Sequence, residues 1–201
     1  MKKAIVVLAL AAAATLMTGD AQAQPDSNWV RVSATVQGIF DFQINGADYP
    51  TSGAPYVHNF GTLSVDGTQV GGTAATSVSV QPDGSSATFR AEPAFGWTVV
   101  SAPRRTVDIS FQAGVSGGTN TMSDDQLSVQ MTVTQQASTG SGATTGYQTY
   151  AAATKKLLVN DVYVGNGTNS AAGNVNLQLR VDEDDADGAN TFLFELIAES
   201  V

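Results

Sequence analysis

Residues 30–44 read VRVSATVQGIFDFQI, and this stretch sets the expectation for the fold. Apolar residues occupy its even positions, whereas most odd positions are polar. A repeat of two residues is typical of a β-strand that buries one face. The pattern continues over fifteen residues, which exceeds the usual strand length of about 5–6 residues. It predicts one long strand within residues 24–45, or two strands bent at Gly38, before Asn45-Gly46 supplies a turn.

The rest of the chain carries further runs of the same kind. Apolar and polar residues alternate, and Gly, Asn, Asp or Pro ends most runs. The predicted strands lie in residues 57–65, 77–81, 87–91, 95–99, 107–115, 127–133, 157–164 and 175–181. Roughly nine or ten short strands without a helix predict an all-β fold. We expect an antiparallel two-sheet β-sandwich, either immunoglobulin-like or jelly-roll-like.

Several local features refine this expectation. Val78 and Val80 are expected to point inward from their strand. Pro93 is expected to separate two strands. Residues 191–198 carry apolar residues on both faces, which favours a central or doubly covered strand. Residues 137–146, ASTGSGATTG, predict an exposed flexible loop.

The first part of the chain has the features of a secretory signal peptide in their usual order. Residues 2–3 are basic, residues 5–16 are apolar, and residues 21–23 form an A-x-A cleavage site. No apolar run is long enough for a membrane span. We therefore expect residues 1–23 to be cleaved and residues 24–201 to form a single domain. The expected location is the periplasm, the cell surface or the extracellular space.

Composition narrows the possible functions. The net charge of −9 disfavours nucleic acid as a partner, because an acidic surface repels phosphates. With no cysteine and His58 as the sole histidine, a Cys/His zinc site is excluded, and no nucleophile elbow is recognisable. No motif identifies two carboxylates as a glycosidase pair, among them those of Glu92, Glu195 and Glu199. The sequence predicts a protein that is not an enzyme.

Aromatic residues leave a glycan partner open as an alternative. Tyr147 and Tyr150 adjoin the predicted loop and are the better candidates for a surface that stacks on sugars. Trp97 alternates with Phe95 and Val99, so we expect it in the core.

The loop from residue 182 to residue 190 reads DEDDADGAN and is a candidate calcium site. Glu183, Asp185, Asp187 and Asn190 are the candidate ligands, because calcium prefers several oxygen ligands around a tight turn. The spacing departs from that of an EF-hand loop, since Phe194 stands where the bidentate Glu is needed. The alternative is a solvated hairpin tip whose charges protect a sheet edge.

The signal peptide, the long N-terminal strand and the Gly/Thr/Ser-rich strand pattern together resemble bacterial exported β-sandwich filament subunits, pilin-type or biofilm-matrix. The resemblance implies a structural or adhesive role. The implied partner is either another surface protein or further copies of the chain, in a homopolymer in which each N-terminal strand completes a neighbour's sheet. The residues with the required alternation are Val30, Val32, Ala34, Val36, Phe40 and Phe42. The chain lacks the disulfide and the near-terminal tyrosine of chaperone–usher pilins. The alternative is a secreted calcium- or glycan-binding module.

Overall fold

A computed structural model describes the part of the chain on which the following sections rest. The described residues are 39–49, 54–114, 117–118, 122–123, 125–136, 142–150, 155–165 and 170–201. The predicted signal peptide, residues 1–23, lies outside them, as do four candidate assembly residues: Val30, Val32, Ala34 and Val36.

The described residues form strands, turns and irregular segments, with no helix among them, so this part of the chain is all-β. No helix that could cross a membrane occurs in it. The strands are β1 (Ile39–Ile44), β2 (Thr62–Leu63), β3 (Gln69–Val70), β4 (Ser77–Val80), β5 (Ser86–Ala102), β6 (Arg105–Ala113), β7 (Gly117–Gly118), β8 (Leu127–Gln135), β9 (Ala143–Thr144), β10 (Gln148–Thr149), β11 (Lys155–Val164), β12 (Ala171–Asp182), β13 (Asn190–Thr191) and β14 (Phe194–Ser200).

The larger sheet has six strands, all paired antiparallel. The order is β1-β5-β12-β8-β10, and β4 also pairs with β5. β5 is continuous through Pro93, so the prediction of two separate strands there was wrong. The ladder tolerates this proline because the register with β12 shifts at that point: Phe95 pairs with Val175, whereas Ala91 pairs with Leu177.

The second large sheet has four antiparallel strands in the order β14-β6-β11-β9. β14 is an end strand among the described residues, so the expectation of a central position for residues 191–198 was wrong. β9 lies within residues 137–146, the stretch predicted as a flexible loop, and it pairs with β11. Two small two-stranded sheets, β13-β7 and β2-β3, complete the described strands.

One hydrophobic cluster takes residues from both large sheets, and the predicted alternations supply most of it. Every second residue from Ala87 to Ala91, from Phe95 to Val99 and from Val107 to Ala113 is buried. Trp97 is almost completely buried, as expected, and its indole N–H donates to the Thr132 carbonyl (3.1 Å). Burial of these side chains is the main favourable contribution to folding.

β1 is the described part of the predicted N-terminal strand, and it pairs within the chain. Ile39 lies opposite Ala102 on β5, and Ile44 lies opposite Trp97. The predicted turn follows: Asn45 and Gly46 have positive φ angles of 50° and 75°, and Ile44 and Ala47 exchange backbone hydrogen bonds. Such angles suit the tight turn that Asn-Gly favours.

Two further expectations were wrong. Val78 and Val80 each remain 42% exposed on β4, rather than pointing into the core. Of residues 57–65, only Thr62 and Leu63 are in a strand, and the remainder is irregular. Alternation therefore overestimated both the burial and the regularity of this part of the chain.

Candidate functional site: an apolar cleft with an acidic rim

A cleft of about 1560 Å³ is lined by residues of both large sheets. Its apolar walls include Phe42 of β1, Leu179 and Val181 of β12, and Phe194 and Leu196 of β14. These side chains pack against the core but are only partly buried. The volume exceeds the ~300–1,000 Å³ of a typical small-molecule pocket, which favours an occupant larger than a metabolite.

The cleft is flanked by two end strands. β1 ends the six-stranded order and β14 ends the four-stranded order, and each pairs with one strand only among the described residues. An end strand presents unpaired backbone N–H and C=O groups that a further strand can pair with. The cleft therefore combines apolar side-chain pockets with backbone groups available for pairing.

The irregular segment after β1 forms one wall through aromatic contacts. Tyr56 packs on Phe95 with ring centroids 4.7 Å apart, and Tyr49 meets Tyr56 edge-on at 5.8 Å. Gly61 lies so close to the turn after β3 that an added Cβ would stand 2.5 Å from the Gly71 carbonyl oxygen. Its φ of 77° also favours glycine. These contacts hold residues 54–65 against the sheet.

Two buried polar atoms in the cleft wall, His58 Nε2 and Asn190 Nδ2, have no hydrogen-bond partner among the described residues. The His58 ring packs edge-on against Phe60, and burial lowers its pKa below the usual value, so the neutral ring predominates at pH 7. A buried polar group without a hydrogen bond has lost its contact with water and gained nothing in return, which destabilises the fold. A bound group that forms a hydrogen bond with either atom would offset this loss.

The acidic loop forms the rim of the cleft. Asp182, Glu183, Asp185 and Asp187 all border it, and Glu183 also borders a smaller depression beside Ser85 and Gln126. The rim therefore gives one end of the cleft a strongly negative potential, which repels anionic occupants and attracts cationic ones.

Hydrogen bonds within the loop occupy the central carboxylate. Asp185 Oδ2 accepts the backbone N–H of Asp182 (2.8 Å) and the side-chain amide of Gln126 (2.7 Å). Asp182 in turn accepts the Arg180 guanidinium (3.0 Å). These contacts make Asp185 a turn-forming residue of the loop.

The four candidate calcium ligands all border the cleft, but they do not converge. Among the described residues, no group of three or more His, Cys, Asp or Glu side chains is placed to hold a metal ion. Asn190 has its amide nitrogen buried in the cleft wall; this atom is a hydrogen-bond donor, so only Oδ1 of this side chain could bind a metal. The loop geometry favours a charged rim over a calcium site.

The two tyrosines considered for sugar binding have other surroundings. Tyr150 is buried, and its hydroxyl donates toward the carbonyls of Gly114 (3.1 Å) and Leu193 (2.9 Å), so the expectation of a surface position was wrong. Tyr147 is half-buried and donates to the Glu92 carboxylate, and burial together with that contact raises its pKa. Neither tyrosine forms an open aromatic platform.

Sequence reasoning did not foresee the cleft. The sequence feature that could have indicated the cleft is residues 56–60, YVHNF. These five residues contain three aromatic or imidazole rings, and the segment around them alternates poorly. The chain matches no protein family, no curated protein and no solved structure. The physical properties of the cleft are therefore the basis for a functional proposal.

Proposed function

We propose that this protein is an exported structural subunit of the cell surface or extracellular matrix, and that copies assemble by N-terminal strand donation. In this proposal the two large sheets form a β-sandwich whose open side lies between β1 and β14. The observation that carries it is the apolar cleft flanked by these two end strands.

The size and chemistry of the cleft suit an extended peptide. A strand of seven residues is about 23 Å long and presents a side chain to the same face every second residue. Added beside an end strand, it forms backbone hydrogen bonds while its alternate side chains fill apolar pockets. This mode of binding would use both properties of the cleft.

The chain carries a segment with the matching pattern. Residues 30–36 read VRVSATV, with Val, Val, Ala and Val at alternate positions and Arg31, Ser33 and Thr35 between them. The aliphatic side chains suit the partly buried apolar walls, and Arg31 adds a cation toward an acidic rim. The same segment follows directly on the predicted cleavage site, so export would expose it.

The pairing of β1 limits which residues can be donated. Ile39 to Ile44 pair with β5 within the chain, and Phe42 contributes to the cleft wall. Phe40 and Phe42, which were candidates for the donated strand, therefore belong to the accepting subunit. The donated segment is limited to residues that precede Ile39.

Purified chains of residues 24–201 and 38–201 test this function. We expect filaments or large oligomers of the longer chain in negative-stain images, and folded monomers of the shorter chain, because all fourteen described strands are kept. Matched variants of the longer chain show whether assembly depends on the apolar side chains of the N-terminal segment or only on its presence. Val32→Asp with Val36→Asp should abolish assembly, whereas Ser33→Asp with Thr35→Asp should largely preserve it. A longer chain that stays monomeric at high concentration would contradict the proposal.

A further inference from the structure

We infer that the copies join head to tail, with Arg104 and Arg105 of one copy on the acidic rim of the next copy's cleft. This arrangement brings the N-terminal segment of the first copy to the mouth of that cleft. The inference rests on the proposed function, and it adds the direction of assembly and the residues at the junction.

β5 defines the two ends of the described domain. It runs from Ser86 to Ala102, a length on the order of 50 Å at 3.3 Å per residue. We call the end at Ser86 the acidic end and the end at Ala102 the arginine end. β12 runs alongside in the opposite direction, from Ala171 opposite Val99 to Asp182 opposite Ser86.

The acidic end collects most of the negative charge near the cleft. The loop after β12 carries Glu183, Asp184, Asp185 and Asp187, and it is tied to β5 because the N–H of Glu183 donates to the Ser85 carbonyl (2.9 Å). Among the described residues, the ion pair of this region joins Arg180 to Asp182, and Glu183 and Asp187 are exposed. The rim therefore has an excess of negative charge.

The arginine end has the opposite character. Arg104 is exposed and Arg105 is half-buried, and the three ion pairs in the described part of the chain involve Arg90, Lys155 and Arg180 instead. Among the carboxylates of the flanking strands, Asp41 accepts the Gln43 amide (3.1 Å), and Asp108 accepts the Asp161 backbone N–H (2.9 Å). Arg104 and Arg105 thus make no ion pair with the described residues, and their positive charge complements the acidic rim.

The positions of β1 and of the cleft agree with this head-to-tail direction of assembly. Ile39 lies opposite Ala102, so β1 begins at the arginine end. The cleft extends from Phe42, which lies opposite Val99, to Leu179, Val181 and the acidic loop, so its rim is at the acidic end. End-to-end docking therefore places the segment of one copy directly at the cleft of the next.

Such an interface is heterologous, since two different surfaces meet. A heterologous contact whose rotation does not close produces an open filament rather than a closed ring. Inside the cleft, the unpartnered His58 Nε2 and Asn190 Nδ2 are available to the polar backbone of the incoming strand. The junction thus combines an electrostatic outer contact with an apolar inner one.

Charge reversal tests the junction in residues 24–201. We expect Arg104→Glu with Arg105→Glu to raise the critical concentration for assembly at least tenfold, and Glu183→Lys with Asp187→Lys to do the same. All four changes in one chain restore complementarity and should return it to within about threefold of wild type. Arg104→Lys with Arg105→Lys is the matched control that keeps the charge, and it should assemble.

A crosslink tests the contact itself, since the chain has no cysteine. Arg104→Cys and Asp187→Cys lie at opposite ends of one copy and cannot bond within it. Oxidation should give a ladder of covalent multimers on a denaturing gel. No ladder, together with normal assembly of the charge-reversed chains, would overturn the head-to-tail junction while strand donation stood. A mature chain that never assembles would overturn both.

Discussion

The hydrophobic cluster shared by the two large sheets has a closed half and an open half, and the same sequence pattern supplies both. In the closed half, toward the arginine end, Trp97, Val99, Val107 and Ile109 are at most 2% exposed. In the open half, toward the acidic end, Leu179, Val181, Phe194 and Leu196 are only partly buried. Alternation thus produces a complete core only where a strand covers it. In the proposed assembly, a strand from a neighbouring copy would cover the open half.

The largest effect is expected in the closed half. Trp97→Ala removes a buried ring and its hydrogen bond to Thr132, and it should lower the free energy of unfolding by about 3–5 kcal/mol. Urea titration followed by circular dichroism measures this value. A loss below about 1 kcal/mol would mean that the closed half is not the main core.

The acidic loop should show an intermediate effect. Asp185→Ala removes the acceptor for the Asp182 N–H and the Gln126 amide, and it should cost about 1–2 kcal/mol in the same titration. Asp187→Ala is the matched control. This carboxylate borders the cleft, is exposed and makes no hydrogen bond or ion pair with the described residues. The variant should therefore have the same free energy of unfolding as the unmodified chain. Equal losses for the two variants would contradict the turn-forming role of Asp185.

The open half should respond differently from the closed half. Leu179→Ala should cost only about 1 kcal/mol in the isolated chain of residues 38–201, because the side chain is already partly solvated. In residues 24–201 the same change should weaken assembly at least tenfold, as judged by sedimentation velocity. A stability loss as large as that of Trp97→Ala would remove the distinction between the two halves.

The smallest effect concerns pH. Burial lowers the pKa of His58 below 6.5, so the unfolded chain binds the proton more readily than the folded chain. The stability of the folded chain is therefore not reduced by His58 above pH 6.5. As the pH falls from 6.5 toward the lowered pKa, protonation of His58 in the unfolded chain lowers the free energy of unfolding. His58→Gln should flatten the stability profile between pH 7 and pH 5. An identical slope in the variant would show that His58 does not titrate in this way.

The closed half could be read from the sequence, but the open half could not. Trp97, Val99, Val107 and Ile109 alternate strictly, and burial of every second residue on a pleated strand follows directly. Alternation does not specify which strands are neighbours, however. β14 carries apolar residues on both faces, which predicted a central or doubly covered strand, yet it ends its sheet among the described residues.

The rim and the junction were only partly foreseen. The acidic composition of residues 182–190 was evident, but Asp185 and Gln126 approach each other only through the pairing of β8 with β12. Arg104 and Arg105 gave no sequence signal, since two adjacent arginines are common in any turn. Their proposed role at the junction depends on their position, because β5 places them at the end of the domain opposite the acidic loop.

The most direct measurement of the central claim is a crosslink between the donated segment and the cleft. Val32→Cys and Leu196→Cys are introduced into residues 24–201 and bridged with a short bismaleimide, with Ser33→Cys replacing Val32→Cys as the control. The account predicts a ladder of covalent multimers for the Val32 variant and little product for the control. A crosslinked monomer would show that each copy fills its own cleft, and unreacted chains would show that the segment does not enter the cleft. Either result would contradict donation between copies.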